Sequence, residues 1–197
     1  MRGKSVFLFA VLSTTALSQS APEPYSVKAD KLGETITEWK ANNPRLNHCQ
    51  NSTINDKVGA ALDPDVVYCL PRASGDEPDL TYATAPLVSE VAWFYRGTLY
   101  KLELPLRSTA RLALVMAALG EKFGTATEKE TTPLQNGFGA KFVQERWTWK
   151  NGVSTLQVVY SDAADSCPAI TFTLDAPNKE VTDRWEQTEG SKARSDM

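Results

Sequence analysis

Val91-Ala92-Trp93-Phe94-Tyr95-Arg96-Gly97-Thr98-Leu99-Tyr100-Lys101-Leu102-Glu103-Leu104 is dense in aromatic and aliphatic side chains and is broken once, at Arg96-Gly97. Val91, Trp93 and Tyr95 alternate with the two-residue period of a strand. A two-residue turn would send the chain back with Thr98, Tyr100, Leu102 and Leu104 on the same parity. It predicts Trp93 opposite Tyr100 and Val91 opposite Leu102, hence one strongly apolar face. The second face, with Ala92, Phe94, Leu99, Lys101 and Glu103, is mixed.

Further along, Phe142 to Lys150 and Val153 to Ser161 flank Asn151-Gly152, a dipeptide that readily takes the left-handed conformation of a tight turn. Trp147, Trp149, Leu156, Val158 and Tyr160 share one face of that hairpin, and Arg146, Thr148, Thr155 and Gln157 share the other. A last strand turns Ile170, Phe172 and Leu174 inward. Two helices are also legible. Thr35-Ile36-Thr37-Glu38 is a capping box, with Ile36 and Trp39 on one side and Asn42-Asn43-Pro44 as the stop. A longer helix starts at Ser108 or Thr109, carries Leu112, Val115, Met116, Leu119 and Phe123 as a buried stripe, and closes at Gly124. Arg45 to Tyr68 and Thr125 to Gly139 read as polar connectors, apart from a short strand at Val66 to Cys69. Val181 and Trp185 suit a short terminal helix before a flexible tail at 188–197.

The expected fold is α+β: two helix-then-antiparallel-hairpin units, near 30–105 and 106–187, forming a sheet packed on one face by helices within a single domain at 21–187. This order, with a second helix ending Leu119-Gly120-Glu121-Lys122-Phe123-Gly124, resembles the tandem helix-plus-sheet plan of β-lactamase-inhibitor-like and outer-membrane assembly-lipoprotein-like exported bacterial domains. The resemblance implies a non-catalytic binding role. It transfers no contact residue to a position here, and the absence of a cysteine near the expected cleavage point departs from the lipoprotein branch.

Arg2 and Lys4, the apolar run Ser5 to Leu17 and the small residues Ser18 to Ala21 have the order of a secretory signal, cleaved after Ser20. The apolar run is shorter than the ~20 residues that span a bilayer, and no later stretch is apolar for that length, so no transmembrane segment is expected. Export makes a disulfide the default reading of the cysteines. Cys49 with Cys69 is favoured because they flank one polar segment, which leaves Cys167, beside Pro168, as an odd thiol.

Chemistry-bearing motifs are scarce. His48 is the sole histidine, too few for common zinc patterns, and Gly137-Phe138-Gly139 lacks the Lys and helix of a phosphate loop. The acids Asp63 and Asp65, Asp76-Glu77-Pro78-Asp79, and Asp162 and Asp165 lie in turn-like contexts that favour solvation over catalysis. No metal or cofactor is expected. With 21 Lys+Arg against 24 Asp+Glu and no basic block, nucleic acid is not an expected partner. The sequence points to an exported, non-catalytic binding or structural domain of the bacterial envelope or of secretion, with a protein partner and with Arg146, Thr148, Thr155 and Gln157 as its binding face. The alternatives are an inhibitor of an exported enzyme and an envelope hydrolase using loop carboxylates.

Overall fold

The structure is a computed structural model that describes residues 22–46, 48–54, 61–71, 80–163 and 166–195. The expected signal segment, the Asp76–Asp79 run and Asp165 lie outside the described residues.

The fold is α+β. After a small ribbon of β1 (Ser26–Val27) and β2 (Asp30–Lys31), α1 (Ile36–Asn42) begins at the capping box. The Thr35 amide donates to Glu38 Oε2 at 2.8 Å, and the Glu38 amide donates to Thr35 Oγ1 at 3.2 Å, so two amides at the helix start are satisfied reciprocally. Then come β3 (His48–Ile54), β4 (Ala61–Leu70), the ribbon β5 (Thr81–Tyr82) and β6 (Ala85–Pro86), and the hairpin β7 (Val91–Tyr95) and β8 (Thr98–Pro105). A short 3-10 turn at Thr109–Arg111 leads into α2 (Leu112–Phe123), which Gly124 ends with φ of 78°. The strands β9 (Glu128–Gln135), β10 (Lys141–Lys150), β11 (Ser154–Ser161) and β12 (Ala169–Leu174) follow. The last element is α3 (Asp175–Ser195), longer than the short terminal helix that the sequence suggests.

Eight strands form one antiparallel sheet in the order β3-β4-β7-β8-β12-β11-β10-β9. One face packs on α1 and α2, around Trp39, Phe94, Leu99, Leu102, Leu104, Val115, Leu119, Trp149, Leu156, Val158, Ile170 and Phe172, all buried. The opposite face receives α3 at one end, where Val181 and Trp185 meet Val66, Tyr95, Tyr100 and Trp93. Helices therefore contact both faces, which corrects the one-sided packing expected from sequence.

Two connectors are strands. The segment read as irregular from Arg45 to Tyr68 contains β3 and most of β4, and the connector from Thr125 to Gly139 contains β9. Both β3 and β9 are edge strands, and β9 is almost wholly exposed. An edge strand with one neighbour and little burial carries no apolar alternation to betray it, and the charges and Pro133 along β9 are what edges use to discourage pairing with other chains.

The register of the β7–β8 hairpin differs from expectation in an instructive way. The turn is where the sequence places it, with Arg96 and Gly97 both at positive φ, 50° and 79°, the backbone of a type I′ turn. Tyr95 pairs with Thr98 and Phe94 with Leu99, but Trp93 then pairs with Lys101 and Ala92 with Leu102. Tyr100 is the extra residue of a bulge. The slip moves Leu102 and Leu104 onto the face already holding Phe94 and Leu99, so one continuous apolar row enters the main core. Trp93, Tyr95 and Tyr100 go to the other side. Without the bulge Lys101 would point into the core, and burying an unpaired ammonium there is far costlier than one disrupted ladder step. The Asn151-Gly152 hairpin keeps its expected faces, with Trp147 opposite Val158 and Trp149 opposite Leu156.

Cys49 and Cys69 are bridged, standing directly opposite each other on β3 and β4 with Cα atoms 4.0 Å apart. Cys167 is an exposed free thiol.

Candidate functional site

In an antiparallel sheet, paired residues share a face, so the register alone maps the surface that α3 only partly covers. One row crosses six strands: Gln50, Tyr68, Trp93, Lys101, Thr173 and Thr155, each the partner of the next. A second runs through Val91, Glu103, Thr171, Gln157, Thr148 and Glu128. Arg146 lies one step further along β10, opposite Glu130.

The sequence-derived residues are thus brought to one face, though not as equals. Thr148 is buried at 3% exposure, flanked by Gln157, whose Nε2 donates to its hydroxyl at 3.4 Å. It supports the surface rather than presenting itself. Thr155 and Gln157 are half-buried, and Arg146 is tied to Glu130 at 3.2 Å.

The chemically richest part of the face went unrecognised in the sequence. Trp93 donates through Nε1 to Glu103 Oε2 at 3.0 Å, and the Lys101 ammonium pairs with Glu103 Oε1 at 2.6 Å while lying 5.1 Å from the Trp93 ring centre. Tyr68 lies tilted against Trp93, ring centres 5.2 Å apart, and Gln50 hydrogen-bonds to the Tyr68 hydroxyl. Two aromatic rings, one cation and one anion are held in place by one another on a half-exposed sheet surface. Such a cluster carries recognition elements, apolar area plus charge, whose rotamers are already fixed before binding. The bulge at Tyr100 puts Trp93, Lys101 and Glu103 together, and no residue pattern announces a bulge.

The candidate acids do not converge on a cleft, and Asp63 and Asp65 lie within strand β4 rather than in the turn expected for them. Asp63 and Asp65 both receive Arg184 of α3, at 3.1 and 3.0 Å, and Asp162 Oδ1 accepts from the Val143 amide at 2.6 Å. Each of these carboxylates has a structural partner. Among the described residues no group of three or more His, Cys, Asp or Glu is placed to hold a metal ion.

A different carboxyl pair is buried, and the sequence does not advertise it. Asp30 on β2 and Glu90, just before β7, are each only 2% exposed and face each other closely enough to share a hydrogen bond. Asn43, the C-cap of α1, donates to Asp30 Oδ1 at 2.6 Å, and Lys28 reaches Glu90 Oε2 at 3.4 Å. Glu90 borders a cavity of about 270 Å³ that Lys28, Asn43, Arg45, Leu46 and Leu80 also line. Burial pushes both carboxyls above their ordinary values. For Asp30 the hydrogen bond from Asn43 and the charge of Lys28 oppose the shift; for Glu90, Lys28 opposes it and Asp30 reinforces it.

The pH dependence follows from the sign. A raised carboxyl pKa means that the folded state holds protons the unfolded state has released. The stabilisation is complete below the ordinary values of 3.8 and 4.5 and is lost as pH climbs through the raised ones. Melting curves should show this pair contributing a fall in stability with rising pH above that range, and Glu90→Gln, which cannot ionise, should flatten it. A Glu90→Gln protein with the same pH slope as the parent would contradict this contribution.

Searches against family models, curated proteins and solved structures find no match to this chain.

Proposed function

We propose that the chain is an exported, non-catalytic binding domain, residues 1–20 being its cleaved signal, and that it engages a protein partner in the periplasm or outside the cell through the open face of its sheet. The observation that carries this reading is the cluster of Tyr68, Trp93, Lys101 and Glu103, pre-arranged and half-exposed beside the patch where Val181 and Trp185 of α3 meet Trp93. The Cys49–Cys69 bridge supports export, because disulfides persist in oxidising compartments.

The order of elements supports two units of like shape. Each begins with a helix on the same face of the sheet, α1 or α2, and continues into four strands of the large sheet; the last strands, β8 and β12, pair at its middle. This is the tandem plan to which the sequence bears a resemblance, with four-strand meanders where hairpins were expected. Inhibition of an exported enzyme is the form of binding that the resemblance would favour. Hydrolysis through loop carboxylates has no support from Asp63, Asp65 or Asp162, which are engaged in ion pairs or a hydrogen bond to the backbone.

Oxidative footprinting tests the reading: Trp93 and Tyr68 should lose reactivity when the protein is mixed with the exported fraction of the cells that make it. Unchanged reactivity of both would remove the open face as the contact surface.

A further inference from the structure

Phe138 is 100% exposed, at the tip of the β9–β10 hairpin. The loop that presents it is internally bonded. Asn136 Oδ1 accepts from the amides of Phe138 and Ala140, both at 3.0 Å, and the Asn136 amide donates to the Ala140 carbonyl at 3.0 Å. The Gly139 amide donates to the Asn136 carbonyl at 3.0 Å, and Gln135 Nε2 donates to the Gly139 carbonyl at 3.0 Å. The backbone of the tip is held without any contribution from the ring. An aromatic side chain wholly in water, on a loop ordered by its own hydrogen bonds, does nothing for the fold and bears a hydration cost.

Charge narrows what could cover it. Three cross-strand ion pairs neutralise the shaft of the hairpin: Lys129 with Glu145, Arg146 with Glu130 and Lys150 with Glu128. Lys141, the first residue of β10, has neither an ion pair nor a side-chain hydrogen bond among the described residues. The tip therefore offers one ring and one available cation. A lipid surface would need more, since stable anchoring takes two strong signals such as a second acyl-like insertion or a polybasic patch, and the whole chain carries a formal charge of -3. A concave pocket on a protein suits a single ring, because interface anchors are characteristically lone aromatics in desolvated pockets ringed by polar contacts. On β10 the tip continues into Phe142 and Arg146, whose parity with Thr148 puts them on the open side of the sheet, while Lys141 has the parity of Trp147 and Trp149 and stands on the helix side, so a pocket that takes the Phe138 ring would cup the tip and meet Lys141 from that side.

We propose that Phe138 is the anchor of the interface, entering an apolar pocket of a protein partner whose rim carries an acidic side chain opposite Lys141. The inference rests on the open-face reading and adds to it the position and chemistry of the strongest contact.

The test places the photo-crosslinking residue p-benzoylphenylalanine at Phe138 in the full chain made in its own cells, with a second chain carrying it at Gln157 as reference. The expected result is one discrete adduct from position 138, mapping on the partner to an apolar depression beside an Asp or Glu. That adduct should be reduced about tenfold or more by Lys141→Glu and by competition with wild-type protein, whereas Phe138→Ser should compete poorly. Phe138→Ser should also melt at the temperature of the parent, and a clear loss of melting temperature would make the ring structural and overturn the proposal. An adduct from Gln157 with none from 138 would overturn the anchor and leave the open face standing; no adduct from either would overturn both. An adduct containing only this chain's own peptides, or flotation with phosphatidylethanolamine–phosphatidylglycerol vesicles that Phe138→Ser abolishes, would replace the partner with a second copy or a membrane and so contradict the proposal. An adduct indifferent to Lys141→Glu would contradict the acidic rim.

Discussion

Arg184→Ala is expected to destabilise the protein by about 3 kcal/mol, read from urea or thermal unfolding. Arg184 is the bolt between α3 and the sheet. Its guanidinium spans Asp63 Oδ1 at 3.1 Å and Asp65 Oδ2 at 3.0 Å and lies 5.8 Å from the centre of the Tyr95 ring. Asp63 is fully buried, and the same oxygen also accepts from the Asp65 amide at 2.9 Å. Removing the cation leaves a buried carboxylate without its counter-charge, the situation in which breaking an ion pair is most damaging. The Arg184 side chain retains 31% exposure, so water can partly replace it, which sets the expectation at the lower end of the range for buried pairs. Arg184→Lys should recover only part of the loss, because an ammonium cannot span two carboxylates as a planar fork does. Asp63→Asn combined with Arg184→Gln should be milder than Arg184→Ala alone. Equal losses for the single and double variants would show that the buried charge is not the cause.

Replacing Cys49 and Cys69 together by Ala should likewise cost about 3 kcal/mol, the chain-entropy value for a closed loop of this size. The separation is 20 residues, and the bridge joins edge strand β3 to β4 at a point where the two cysteines already face each other. Because β3 has one neighbour only, the loss should appear first as faster amide exchange along His48–Ile54, while β8 and β12 at the centre of the sheet keep the protection of the global fold. Uniform loss of protection across all strands would contradict this local role.

Features set by short-range chemistry were legible before the fold was seen. The Thr35–Glu38 box needs four consecutive residues, the α2 stripe needs only helical spacing, and Asn151-Gly152 fixes the faces of its hairpin. Cys49 and Cys69 could be paired because they flank one polar segment, while Cys167 lies far along the chain beside Pro168. What escaped depends on relations that the chain reveals only when folded. The bulge at Tyr100 is one residue of slip, forced by the core's demand for Leu102 and Leu104 beside Phe94, and it turns Trp93 away from the main core to the other side of the sheet, half-exposed beside the α3 contact. Strands β3 and β9 escaped because an edge needs no buried row. Asp30 and Glu90 are 60 positions apart in sequence, each a single acid among unremarkable neighbours, and only the meeting of the β1–β2 ribbon, α1 and the start of β7 brings them together. Phe138 has no signature in sequence, because Gly137-Phe138-Gly139 resembles only an incomplete phosphate loop and nothing in it shows that the ring is left in water.

The α1–α2 face and the open face make opposite demands on aromatic residues, and that contrast gives the most direct test. Trp39 and Trp149 are buried between the helices and the sheet, while Trp93 and Tyr68 lie on the side proposed to meet a partner. Hydroxyl-radical footprinting read by mass spectrometry, with and without the exported fraction of the producing cells, should show Trp93 and Tyr68 protected in the mixture and Trp39 and Trp149 unreactive in both samples. Protection absent from Trp93 and Tyr68, with the protein intact and the buried tryptophans still silent, would contradict a partner on the open face.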